Sequence, residues 1–234
     1  MMEWVQRLGY FSVLDGVAVV LLTLTWLGSS WIIENPPARR PSVSKLMTVY
    51  RRSWMEHFVT RQPRIFDSQI VGSLRQSTAF FASASMIAIS GIFALLGDAD
   101  RLRGVAGDFA DSDAPVVVWE VKLFLILVFA ANAFLKFVWS NRLFGYCSVM
   151  MGSVPNNGSK ISYTRAAKAA EINIFAARSY NRGLRSVYFG IASAAWLLGG
   201  EALIAATVVT LVVILRREFA SQSREILMQT EPES

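Results

Sequence analysis

Apolar residues in this chain gather into four long runs separated by polar, mostly basic stretches. The first extends from about Tyr10 to Ile33 and is broken only by Asp15. The second, from Thr78 to Leu96, holds no charge, and the third, from Val116 to Trp139, carries Glu120, Lys122 and Lys136. The fourth extends from Val187 to Leu215 with Gly199-Gly200-Glu201 in its middle. A helix crosses the ~30 Å hydrocarbon core of a bilayer with about 20 residues. The first three runs therefore read as single spans, whereas the fourth is too long to be one.

The charges between the runs orient them. The stretch 34–76 has eight basic residues against three acids, and 140–186 has seven against Glu171 alone. The stretch 98–115 has five aspartates against Arg101 and Arg103. Basic loops stay on the cytoplasmic side, so the N-terminus is expected outside. A single final span would deliver Arg216-Arg217 to the outside. A hairpin turning at Gly199-Gly200 returns them, and glycines suit such a reversal because they tolerate positive φ. The reading is an all-α integral membrane helical bundle of about five spans in one membrane domain, 1–234. The spans are expected at about 10–33, 78–97, 116–139, 186–199 and 201–216, with the C-terminus cytoplasmic. The last two arms are short unless they continue into the cytoplasm. The first run is too long for the apolar core of a signal peptide, and Glu3 offsets Arg7 ahead of it.

Between the first two spans, Leu46, Met47, Tyr50, Trp54 and Phe58 recur at three- and four-residue steps, with Arg51, Arg52 and Glu56 on the other face. This predicts an amphipathic helix at about 43–60, lying on the headgroups or packed on the protein's own cytoplasmic side. Asp67 reads as an N-cap for a helix running unbroken into the second span. A cytoplasmic helix at about 162–185 leads into the fourth run. Its Ala166, Ala170 and Ala177 offer a small-residue stripe to a neighbouring helix or to another copy.

Composition agrees with this picture. Of 234 residues, 53% are apolar and 17% charged, against about 45–50% and about 25% in soluble domains. A disordered chain, a disulfide scaffold and an ordinary soluble enzyme are excluded. With one cysteine, Cys147, and one histidine, His57, no disulfide framework, thiolate cluster or bis-histidine centre forms within one chain. Catalytic, cofactor-binding and metal-ligating residues are expected to be none, and the chain is read as no enzyme. The net charge of +6 is expected to serve the cytoplasmic membrane surface, not nucleic acid. The expected partners are the lipid bilayer and either further copies in a homo-oligomer or a larger membrane complex, in the cytoplasmic (inner) membrane.

Ionisable groups at membrane depth are costly, so each is a functional candidate. Asp15 and Lys122 both lie about six residues in from the outer end of their spans. Equal depth and opposite sign favour an Asp15–Lys122 ion pair. That pair serves either an ion path with Glu120 or Glu201 near its mouth, or a clasp between helices. Asn132 is expected to hydrogen-bond between helices.

Three stretches carry a resemblance. They are Gln69-Ile-Val-Gly-Ser-Leu-Arg-Gln-Ser-Thr-Ala79, Asn141-Arg-Leu-Phe-Gly-Tyr146, and Asn181-Arg-Gly-Leu-Arg-Ser-Val-Tyr-Phe189 leading into Ala195-Trp-Leu-Leu-Gly199. In order and placement they resemble the multi-pass membrane family catalogued as domain of unknown function 599, over about Leu14 to Glu218. The resemblance implies an architecture and no chemistry. Arg75, Arg142, Arg182 and Arg185 fall at the cytoplasmic mouths of the spans. They form either a site for lipid phosphate or a small anion, or ordinary positive-inside placement. The leading functional expectation is a homo-oligomer forming or gating a small ion path. The competing one is an accessory or scaffold subunit that binds a larger complex or lipid.

Overall fold

The computed structural model describes residues 10–98 and 115–229, and all regular structure among them is helical. The elements are α1 (Val13–Glu34), α2 (Val43–Phe58), α3 (Ile65–Gly97), α4 (Val116–Gly152), α5 (Lys160–Ala194), α6 (Gly200–Phe219) and α7 (Gln222–Leu227). Three of them, α1, α3 and α4, are long and apolar enough to cross a membrane. The aspartate-rich loop expected outside lies almost wholly beyond the described residues, as do Glu3 and Arg7.

Several boundaries differ from expectation for local reasons. Ser12, not Tyr10, opens the first helix: its hydroxyl accepts from the Asp15 amide at 3.1 Å, as an N-cap does. Asp15 is therefore the third residue of α1, in its first turn, and not six residues in. Asp67 is likewise the third residue of α3, because that helix starts at Ile65. Helix α4 continues to Gly152, well past the expected span end at 139. Helix α5 ends at Ala194, where Ala195–Leu198 tighten into a 3-10 turn. Gly199 then stops the helix at φ +125°, a backbone conformation that only glycine adopts without strain. The break expected at Gly199-Gly200 is present.

The chain gathers into two compact units where the sequence reads as one domain. Among the described residues, unit 1 comprises 10–31, 84–98, 115–133 and 184–214, and unit 2 comprises 32–83, 134–183 and 215–229. Unit 1 buries Ala18, Leu22, Trp119, Leu123, Phe129, Phe189, Trp196 and Leu203. Trp26 meets Phe129 edge-on at 5.0 Å. Its outward faces are also apolar, with Val17, Val20, Leu24, Ile87, Phe124, Ile191, Val209 and Val212 all exposed. Apolar residues both inside and outside suit a helix bundle solvated by lipid.

Unit 2 has a core of Met55, Phe58, Val59, Val71, Phe144, Cys147, Met151 and Val154 with Ala166, Ala169, Ala170 and Ala176. Ala166 and Ala170 of the expected stripe lie in that core and Ala177 packs against it, so the stripe is used within the chain. Helix α2 docks through Met55 and Phe58. Its Arg51 donates to Asn173, and its Arg52 pairs with Glu171 at 2.7 Å. The helix is thus packed on the protein, the second of the two arrangements open to it. Burial lowers the Arg51 guanidinium from the ordinary arginine range, while the hydrogen bond that the exposed Arg52 donates to Glu171 raises its own.

Along α5 one buried face of this unit is small or polar, with Ser162, Ala166, Ala169, Asn173, Ala176, Ser179 and Gly183, while Ala170 and Ile174 are buried beside it. The four- and three-residue steps put them on one face. Small side chains let two backbones approach closely. Side-chain hydroxyls then reach backbone carbonyls across the gap. Ser140 donates to the Ala176 carbonyl at 2.7 Å, and Ser179 to that of Lys136 at 2.9 Å. Gly183 faces the Phe137 ring. Cys147 likewise faces the Ala169 carbonyl, so from Ala169 through Ala176 to Ser179 the partners on α4 fall from Cys147 through Ser140 to Lys136, and the two segments run antiparallel in this unit.

Candidate functional site

In unit 1 the expected intramembrane residues fall into separate groups. Asp15 completes a reciprocal cap with Ser12, accepting from its amide at 3.0 Å and its hydroxyl at 2.7 Å on Oδ2. The other oxygen accepts the indole N–H of Trp196 at 2.6 Å. Lys122 stands over that same indole, 5.9 Å from the centroid, and over Trp119 at 5.4 Å. Asp15 and Lys122 thus converge on Trp196, one on its edge and the other on its face. A ring's electron-rich face attracts a cation and its polar N–H an anion. Gly200 completes the cluster, since a side chain there would begin 3.3 Å from Asp15 Oδ1. Glu201, in the first turn of α6, and Glu120 are exposed.

A second group in unit 1 surrounds Arg185, which is only 4% exposed. Its Nε donates to the Ser30 hydroxyl at 2.9 Å. Nearby in sequence, Ser186 is fully buried and accepts from the Asn132 amide at 2.6 Å. Asn132 makes a hydrogen bond between helices, as expected of its type.

Unit 2 holds the other three arginines. Arg182 makes a two-pronged pair with Glu34, at 2.8 Å and 2.5 Å. Those bonds hold its guanidinium above the ordinary arginine range. Arg75 and Arg142 are exposed. Two of the motif stretches meet here. The Asn141 amide donates to the Arg75 carbonyl at 2.8 Å and to the Thr78 hydroxyl at 2.9 Å. Arg142 donates from Nε to the Tyr146 hydroxyl at 2.6 Å, while Phe144 is buried. Gly145 leaves room for Arg75, whose Cζ is 4.0 Å from where a side chain would begin. Of the four arginines, Arg75 lies against α4 at Gly145, three residues beyond the exposed Arg142, Arg182 is held by Glu34, and Arg185 is buried in unit 1.

Some working residues were not singled out from the sequence. Ser12 and Asp15 have the capping-box spacing, which identifies such a cap without a structure. Trp196 carries no signal of its own. Asp67, expected as an N-cap, is instead buried, and its Oδ1 accepts from Trp54 Nε1 at 2.7 Å and from Arg61 at 2.5 Å. Arg64 clamps the Val154, Val59 and Pro155 carbonyls at 2.7, 3.0 and 3.3 Å beneath the Phe58 ring.

A chain with three membrane-length apolar helices and polar clusters serving mainly to join helices is a helical membrane protein of unknown activity. It matches the family model described as "Protein of unknown function, DUF599" over residues 17–223 and belongs to that family. No curated protein and no solved structure matches it.

Proposed function

We propose that the protein is a non-catalytic accessory or scaffold component of the inner membrane, with five crossings, the N-terminus outside and the C-terminus cytoplasmic. In this reading α1, α3 and α4 supply three crossings, and the end of α5 with α6 supplies a short pair around Gly199. The basic loops support that orientation. The observation that carries the scaffold reading is how Asp15 is used. Both its oxygens are engaged, by Ser12 and by Trp196, so the carboxylate caps a helix and does not stand ready for an ion. Unit 2 offers a platform to a partner protein, since α2 docks by one face and leaves Val49 (60%) and Tyr50 (37%) exposed on another. A homo-oligomeric ion path is the second reading of Asp15, Lys122 and Glu120, favoured by the exposure of Glu120 and Glu201.

Two measurements separate them. The protein reconstituted in vesicles is expected to pass no more sodium, potassium or protons than empty vesicles. Native mass spectrometry of mild-detergent extracts is expected to show an unlike partner that is lost from a folded Val49→Ser/Tyr50→Ser variant. Flux that falls in Asp15→Asn would overturn the scaffold reading.

A further inference from the structure

We propose that Arg75 and Arg142 form a binding site for the phosphate of an anionic lipid. The outward face of α4 around Arg142 is apolar: Leu135, Val138, Trp139, Tyr146 and Val149 are all exposed. They stand three, four or seven residues from Arg142, so they share its face. Helix α4 is also long and apolar enough to cross a membrane. A guanidinium in the middle of a lipid-facing stripe belongs at headgroup depth, where phosphate is the abundant anion. Exposed Trp139, one turn before Arg142, is the residue type that marks that depth.

Arg75 doubles the charge. The Asn141 amide grips the Arg75 carbonyl and so fixes the backbone from which its side chain leaves. Gly145, three residues beyond Arg142, lets the Arg75 guanidinium lie against α4. Both arginines are exposed, and among the described residues neither has a carboxylate within 4.0 Å. Arg142 donates to Tyr146 through Nε, which leaves its two terminal nitrogens to serve a ligand. Two planar forks, one on Arg142 and one reaching α4 three residues further on, suit a phosphate oxygen pair, which a single lysine-like point charge does not match. Arg182 and Arg185 are not part of the site, the first being held by Glu34 and the second buried. The site stands apart from the scaffold reading, since a conducting protein would present the same pair.

The test uses the full chain in neutral detergent, followed by thermal unfolding. Phosphatidylglycerol, phosphatidylcholine with the same acyl chains, and inorganic phosphate are titrated separately. Phosphatidylglycerol is expected to raise the midpoint saturably, as a ligand specific for the folded state does, and phosphatidylcholine or inorganic phosphate at the same concentrations to raise it far less. Arg75→Gln and Arg142→Gln are each expected to weaken the lipid about tenfold, while the exposed Lys168→Gln, with the same loss of charge, leaves it unchanged. Arg142→Lys is expected to recover part of the loss. Equal binding of phosphatidylcholine, equal binding of inorganic phosphate, or parent-like lipid binding by the Arg75→Gln/Arg142→Gln variant would each overturn the proposal.

Discussion

Replacing Gly183 with alanine tests the packing of unit 2 at its tightest point. A Cβ there would begin 2.7 Å from Phe137 Cε1 and 2.9 Å from Cδ1 and Cζ. Carbon atoms rest at about 3.5–4.0 Å, so the ring must retreat by about 1 Å. It has little room. Phe137 is fully buried, stacked on Phe81 at 5.3 Å and 26°, and tilted against Tyr180 at 5.6 Å. Overpacking of this kind costs about 1–3 kcal/mol. Alanine is the better helix former by about 1 kcal/mol, which offsets part of it. The net expectation is a loss of up to about 2 kcal/mol. For a chain of this size each kcal/mol moves the thermal midpoint by about 2–4 °C, so a fall of up to about 8 °C is expected in detergent. Gly72→Ala is the control, since nothing lies within 4 Å of its added methyl, and it is expected to be neutral or slightly stabilising. Phe137→Leu should recover stability in the Gly183→Ala background, giving a coupling between the two sites. A Gly183→Ala variant as stable as Gly72→Ala would refute the reasoning.

Two further substitutions address the polar clusters. Asp67→Ala removes the fully buried carboxylate that takes both Trp54 and Arg61. The stranded donors are expected to lower stability by about 2–3 kcal/mol, read as an earlier thermal midpoint with changed Trp54 emission; an unshifted midpoint would refute it. Trp196→Phe keeps a ring under Lys122 but removes the N–H that Asp15 accepts. A loss of about 1–2 kcal/mol is expected, and Asp15→Asn combined with it should add less than its effect alone, because the two residues act on one bond.

What the sequence determined by itself follows from one-dimensional signals. The apolar runs, the glycine break at Gly199 and the basic stretches are read along the chain, because span length, backbone tolerance and loop charge are local quantities. The family was legible for the same reason, through stretches such as Asn141–Tyr146. Pairings between helix faces were not legible. Asp15 and Lys122 read as an ion pair from their depth alone, yet the helix begins at Ser12, and Trp196, far along the chain, brings the two groups together. The four arginines share one sequence signature and have three fates, because Glu34 and Ser30 stand one turn apart on α1 while the gap at Gly145 belongs to α4. The small face of α5 promised a close neighbour without naming one. Only the tertiary structure could select α4, since packing depends on which ridges of two distant segments fit together.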